Sequence, residues 1–395
     1  MRLLFVGYRF FPYRHPGDKT FWLELVRGMA DRGVEADVLS VDVRPPVVPS
    51  DFPVKIRFVP AVPVRMRDPL FQGRYNTDAV EIERITNYGS KTLTLPRLAR
   101  EIRQRVRQDG YDGVHLMDNL GPASPLLRAL VRAVPCALSA VAYNPRGFLY
   151  DSMLWLSYAG AAQVVAFSDA FATQLAHIGV SPRLIRTIRW GVNVHGFSGR
   201  SRTEAEKGLG LDSHSLLVAW AGFVQQTTLR DFEMALRIAR DVRARMGERV
   251  TFWFCFKPAH FQAGFSRFQE PGIRVTGDST VFHRVRDRAD ALLAPISDPG
   301  TILAPPLTWI EFLASGAPIF TLQTVGVDEA IEPGVGGFAE PNESQLGLRL
   351  QAVLEDPPSL NKLSLGARVL AGERFDLRRC VDEYVGLWSD LVSTG

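Results

Sequence analysis

Within Pro295–Ile331 (PISDPGTILAPPLTWIEFLASGAPIFTLQTVGVDEAI) the chain reads as strand end, loop, helix, strand and loop. Pro305 and Pro306 lack the N–H that a helix interior needs, but they suit a helix start. Thr308 is placed to cap the first turn. Ile310, Phe312 and Leu313 supply an apolar face, and Gly316 stops the helix. Ala317–Leu322 is a short apolar strand, Thr324-Val325-Gly326 a loop, and Glu329 opens the next short turn. A helix that begins beyond a strand end turns its unbonded N–H groups outward, which makes an anion site. Glu311 lies one turn inside that helix, where it could reach a ribose diol; a solvated Glu on a buried helix is the plainer reading.

The chain opens on the same alternation. Leu3–Val6 reads as a buried strand, Gly7–Thr20 as a loop rich in Pro, Gly, Tyr and Arg, and Phe21–Asp31 as a helix ended by Gly33. Val34–Val41 is the next strand, so this is the start of a doubly wound α/β sheet. Gly7 and Gly17 are the spaced glycines here, and they do not make the three-glycine dinucleotide fingerprint.

Further strands are expected at Gly113–Met117, Leu138–Ala142, Val164–Phe167 and Ile185–Ile188. Open α/β sheets bind ligands beyond strand C-termini. That makes Asp118-Asn119 and Tyr143-Asn144, which follow two of these strands, candidate site residues. Residues 198–213 read as a polar linker with a short helix. A second alternation begins at Leu216–Ala221, closed by Gly222, and continues through a helix at Asp231–Arg243. Strands at Val250–Phe256, ending in Lys257, and Ile273–Val275, ending in Thr276-Gly277-Asp278, come next. Helices over Leu346–Leu354, Leu360–Ala371 and Cys380–Val392 close the chain.

Residues 1–200 carry 26 Lys and Arg against 17 Asp and Glu; the remainder carries 20 against 25. The first half is therefore the candidate for an anionic partner. Much of its basic charge lies on the helix expected over Leu93–Gln108. Leu95, Leu98, Ile102 and Val106 form one face there, and Arg97, Arg100, Arg103, Arg105 and Arg107 most of the rest. Such a face is ordinarily solvated; against anionic lipid it would gain on the order of 1 kcal/mol per basic residue. The excess charge is modest and no nucleic-acid module is present, so no nucleic-acid partner is expected. Cys136, Cys255 and Cys380 follow no metal spacing and no disulfide framework. The longest uncharged run, Ser152–Ser168, is marginal for a membrane span and reads as a buried helix followed by the strand at Val164–Phe167.

The stretch WIEFLASGAPIFTLQTVGVDEAI resembles the donor-site signature of GT-B glycosyltransferases of the GT4-like retaining group. That resemblance implies two Rossmann-like doubly wound domains facing a central cleft. Residues 1–197 would be the acceptor domain, 198–213 the linker and 214–375 the nucleotide-sugar donor domain, with 376–395 a C-terminal helix crossing back. By the same resemblance Glu311 is the ribose-binding Glu. Gly222, Arg230, Lys257, Gly277, Thr308, Gly326 and Glu329 complete the donor set, and Gly17, Asp18, Lys19, Tyr143 and Asn144 face the acceptor. VHLMDNLGP resembles the group's His-x-His stretch, with His115 in the first place, and it leaves Asp118 and Asn119 as the catalytic polar groups. Ser168 matches the Ser turn of the group, and Trp190-Gly191-Val192-Asn193 with Phe197 its Asn-Gly-Val-Asp…Phe stretch.

Several positions depart from the pattern. Leu303 replaces the first Glu of the signature, Met117 the second His, and Phe223 the Arg expected after Gly222. Trp190 and Asn193 replace the Asn and Asp of the domain-closing stretch. The resemblance implies a glycosyltransferase that moves a sugar from a nucleotide-diphosphate donor to a glycan, lipid-linked or natural-product hydroxyl, with retention. It needs no cofactor and no obligatory metal, in keeping with a chain that has no Asp-x-Asp pair. The alternative is a catalytically altered or inactive GT-B protein acting as a binding partner. A cytoplasmic location is expected, with peripheral contact to the inner face of an anionic membrane through Leu93–Gln108.

Overall fold

The computed structural model describes the chain apart from residues 9–17, 43–47, 49–53, 63–87, 118–126, 128–134, 141–151, 153–154, 157, 159, 199–201, 213, 223, 225–227, 257–262, 298–303 and 394–395. The chain divides into two compact units, Met1–Gly191 with Leu377–Gly395, and Val192–Asp376.

In the first unit β1 (Arg2–Tyr8), α1 (Asp18–Ala30), β2 (Glu35–Asp42) and β3 (Ile56–Pro60) are followed by α2 (Tyr88–Arg105). Next come β4 (Gly113–Leu116), β5 (Cys136–Ala140), β6 (Gln163–Ala166), α3 (Asp169–His177) and β7 (Ile185–Thr187). The strands form one sheet in the order β3-β2-β1-β4-β5-β6-β7, every pair parallel. A parallel sheet is covered on both faces, so its central strands read as unbroken apolar runs. Leu3, Leu4, Phe5 and Val6 are accordingly all buried.

The last helix of the chain, here α12 (Leu377–Ser393), belongs to this unit. A Cβ built on Gly113 would lie 2.2 Å from the Trp388 ring, so only glycine lets β4 and α12 approach this closely. Arg32, in the turn that follows α1, pairs with Asp382 of α12 at 2.8 Å.

The second unit holds α4 (His195–Ser198), α5 (Arg202–Leu209), β8 (Leu216–Gly222), α6 (Leu229–Met246), β9 (Val250–Phe256) and β10 (Ile273–Thr276). It continues through α7 (Ser279–Arg288), β11 (Ala291–Leu293), α8 (Leu307–Ser315), β12 (Ile319–Leu322) and α9 (Val327–Ala330). β13 (Gly337–Glu340), α10 (Glu343–Leu354) and α11 (Pro357–Phe375) end it. Its parallel sheet runs β10-β9-β8-β11-β12-β13. All seven residues of β9, VTFWFCF, are buried.

Numbered within each unit, both sheets share the strand order 3-2-1-4-5-6, the doubly wound order of a Rossmann-like domain. The order reverses beside the first strand, and the reversal opens a crevice beyond the strand C-termini. In the second unit that switch point lies between β8 and β11, whose register pairs Val218 with Ala291 and Ala219 with Leu292.

Three local expectations are corrected. The helix at Leu93–Gln108 starts earlier, at Tyr88, and its final turn, Val106–Gly110, is π-helical rather than α-helical. Ahead of the buried strand at Val164–Phe167, Trp155 and Leu156 are exposed while Tyr158 and Ala161 are buried, so the described part of the expected helix is covered on one side only: low charge alone does not decide which face is covered. Thr308 does not cap α8; Pro306, with extended backbone, holds the cap position and Thr308 is the second helical residue. A cap must precede the helix so that its oxygen can meet the first free N–H groups, and Thr308 enters too late.

Candidate functional site

The C-terminal edge of the second sheet collects most of the expected donor residues. β8 ends at Gly222, where an added Cβ would lie 3.1 Å from the Trp220 ring. Arg230 stands exposed in the first turn of α6, which begins the return from that strand. Gly277 links β10 to Asp278, and Asp278 caps α7 by accepting from the N–H groups of Thr280 at 2.6 Å and Val281 at 3.3 Å. Those two backbone donors hold the Asp278 carboxyl below the usual carboxylate range.

One contact joins the two sides of the switch point. Asp231, buried at the start of α6, accepts from the backbone N–H of Ser297 at 2.9 Å and from its hydroxyl at 2.6 Å. Ser297 follows β11, so Asp231 ties the segment after β8 to the segment after β11. Sequence reasoning passed over Asp231, because an Asp in a first helical turn is expected from the helix dipole alone.

Ala304, Pro305 and Pro306 lead into α8. The first N–H groups of a helix lack intrahelical partners, and Leu307 and Thr308 occupy that turn. Gly316 ends α8 in the left-handed conformation (φ 90°), which a side chain would strain. Gly326 (φ 83°) precedes α9, and Glu329 is its third residue, with its carbonyl accepting from Arg374.

Glu311 lies on α8 with its side chain 26% exposed, and its carboxylate is 3.6 Å from Nη1 of Arg286. Arg286, on α7, is only 3% exposed. Its guanidinium lies over the Phe197 ring at 4.7 Å and within 5.8 Å of Phe282, and it pairs with Asp287 at 3.0 Å. Arg286 was missed from the sequence; its signal is a position four residues after Phe282, on the apolar face of α7.

The first unit places its expected residues differently. His115 on β4 is fully buried, bonded through Nε2 to Ser139 Oγ at 2.7 Å and stacked on Phe5 at 4.9 Å. Burial pushes its pKa down to about 3, so the ring is neutral at physiological pH and serves the core. Ser139 in turn meets the Tyr384 hydroxyl of α12 at 3.1 Å. Met117 is also buried, its N–H donating to the Val6 carbonyl. Trp190 lies flat on Phe167, ring centroids 3.8 Å apart, which explains an aromatic residue at that position by packing. Ser168 caps α3 through the N–H of Phe171. Asp18 and Lys19 form the first turn of α1. Gly17, Asp118, Asn119, Tyr143, Asn144, Phe223, Lys257 and Leu303 lie outside the described residues.

Comparison with known proteins agrees with this architecture. The model of the glycosyl transferase 4-like domain matches residues 17–191. HepE of Anabaena, solved in complex with UDP and glucose, superposes with a TM-score of 0.70 at 15% identity, covering 99% of this chain and 100% of that one. Sucrose-phosphate synthase of Thermosynechococcus elongatus gives 0.75 at 14% identity, covering all of both chains. WaaG, a glycosyltransferase involved in lipopolysaccharide biosynthesis, gives 0.66 at 15%, covering 98% and 99%. No curated protein matches the chain by sequence. With two doubly wound units of this order and residues 17–191 matching the model of the glycosyl transferase 4-like domain, the chain has the two-domain α/β architecture of the GT-B fold and is similar to GT4-like proteins.

Proposed function

We propose that the protein transfers a sugar from a nucleotide-diphosphate donor to a hydroxyl acceptor, with retention and without an obligatory metal. The observation that carries this reading is the edge of the second sheet. There one carboxylate, Glu311, lies one turn behind the start of α8, beside the switch point bridged by Asp231 and Ser297. A nucleoside diphosphate asks for that combination: helix N–H groups toward the phosphates and a carboxylate toward the ribose diol. Arg230, Lys257 and the Thr308 turn would share the diphosphate charge. Glycosyl transfer then depends chiefly on positioning and on stabilising the departing diphosphate. Asp118 and Asn119 would contact the transferred sugar, and Gly17, Asp18, Lys19, Tyr143 and Asn144 the acceptor, a glycan, lipid or small molecule.

A thermal-shift series with UDP, GDP, ADP, CMP and dTDP tests the reading. Stabilisation by one diphosphate at concentrations near 100 times its Kd should reach about 2.7 kcal/mol. No shift with any of the five would favour the alternative, a GT-B protein with altered or lost catalysis acting as a binding partner. The burial of Met117, at a position where the resemblance expects a substrate-contacting His, is the observation on that side.

The acceptor side carries a second proposal, contact with an anionic membrane. Arg97, Arg100, Arg103 and Arg107 are all exposed on the outer side of α2 and its π-helical turn, and Leu93 beside them is 58% exposed. Among the described residues no helix is long and apolar enough to cross a membrane, so the contact would be peripheral. Replacing Arg97, Arg100 and Arg107 by Gln should remove about 3 kcal/mol of attraction, roughly 100-fold in partitioning onto phosphatidylserine vesicles. Co-sedimentation checks this; equal binding to neutral phosphatidylcholine vesicles, or none to either, would leave the arginines as a solvated face.

A further inference from the structure

We infer that Arg286 is a positioning residue for the donor site: it sets the direction of the Glu311 carboxylate and so gives the site its preference for a ribose over a 2′-deoxyribose nucleotide. The inference rests on the donor-site reading of Glu311. Arg286 and Glu311 stand on neighbouring helices, α7 and α8, with 3.6 Å between Nη1 and the carboxylate. That spacing is an ion pair rather than a hydrogen bond, so the pairing aligns the carboxylate without taking one of its acceptor positions.

The arginine is itself held by its surroundings. Asp287 Oδ1 accepts from Nε at 3.1 Å and lies 3.0 Å from Nη2, and Phe197 and Phe282 lie against the guanidinium. A planar cation held by stacking and by one hydrogen bond to a neighbouring carboxylate is restricted in orientation, which a lysine on a flexible stem would not be. A guanidinium this deeply buried is expensive to maintain unless paired, and Glu311 is a partner whose remaining face stays 26% exposed. The arrangement therefore transfers the rigidity of a buried cation to a half-buried carboxylate. Direction matters for a diol, because two hydroxyls must be met at once.

The test compares Kd for UDP with 2′-deoxy-UDP, and for the GDP and ADP pairs alongside, in wild type and Arg286→Met. Wild type should prefer the ribose form by about tenfold, the worth of one hydrogen bond to a charged group. In Arg286→Met that ratio should fall below about threefold, and Arg286→Lys should restore only part of it. A purely structural role would weaken both nucleotides equally and leave the ratio at its wild-type value, which would overturn the inference while sparing the donor site. Wild type that binds none of the three diphosphates would overturn the donor-site reading and this inference with it. Phe197→Leu, which removes the ring against the guanidinium and leaves every charge in place, decides the matter if Arg286→Met does not fold. A reduced ratio supports the positioning role, and an unchanged ratio sinks it.

Discussion

Glu311→Ala is expected to weaken binding of the preferred nucleoside diphosphate by about 30- to 150-fold, the loss of roughly 2–3 kcal/mol from hydrogen bonds to a charged acceptor. The loss should have two parts. One is the contact to the ribose. The other arises in the protein, because among the described residues Arg286, 3% exposed, keeps only Asp287 as a carboxylate partner once Glu311 is gone. The apparent melting temperature should therefore fall as well, before any ligand is added. Glu311→Gln separates the parts: it retains an acceptor oxygen and the shape of the side chain, and should recover about half of the lost binding free energy. Titration calorimetry on the three proteins checks this. Binding by Glu311→Ala within threefold of wild type would remove Glu311 from the donor site and leave it as a structural partner of Arg286.

The parts of this architecture legible in the sequence are those where one local force acts alone. LLFV, LLVAWA and VTFWFCF are unbroken apolar runs because a doubly wound sheet buries both faces of its strands. α8 could be placed from Pro306 and Gly316 because a missing N–H and a left-handed backbone each permit one end of a helix and not the other. The apolar face of α2 was equally readable: Leu95, Leu98, Ile102 and Val106 are all buried.

What escaped depends on partners distant in sequence. In STVFHRVRDR a run of charged side chains looks solvated, yet Arg286 and Arg288 are buried. Arg286 is covered by Phe197, and nothing in α7 itself announces that. Trp190 looked like a damaged motif position, whereas it is a stacking partner of Phe167. Asp231 stands where an Asp in a first helical turn is ordinary, and its bond to Ser297 appears only once β8 and β11 are adjacent. Thr308 failed as a cap for a subtler reason: Pro306 fixes where the helix begins, and the cap position is then already taken.

Asp290→Ala should destabilise the folded chain by about 3–5 kcal/mol, the cost of breaking a buried charge cluster by removing one member. Oδ2 of Asp290 accepts from the N–H of Leu217 at 2.7 Å, at the start of β8, and from Nη1 of Arg288 at 2.6 Å. Arg288 is 1% exposed; its Nε meets Glu206 of α5 at 2.7 Å and its Nη2 donates to the Ser215 carbonyl at 2.6 Å. One guanidinium thus ties α5, the entry to β8 and the entry to β11 together, directly behind the strands whose far ends carry the candidate site. Removing Asp290 orphans the Leu217 N–H and leaves the arginine with one carboxylate instead of two. Arg288→Met should cost as much, because it leaves the Glu206 and Asp290 carboxylates without the shared cation. The combined variant Glu206→Gln, Arg288→Met, Asp290→Asn removes all three charges together and should lie closer to wild type than either single change, since it strands no charge. Urea unfolding followed by tryptophan fluorescence measures all three. Additive losses in the combined variant would show that the three residues act separately, and the cluster would then not be the joint that holds the second sheet to α5.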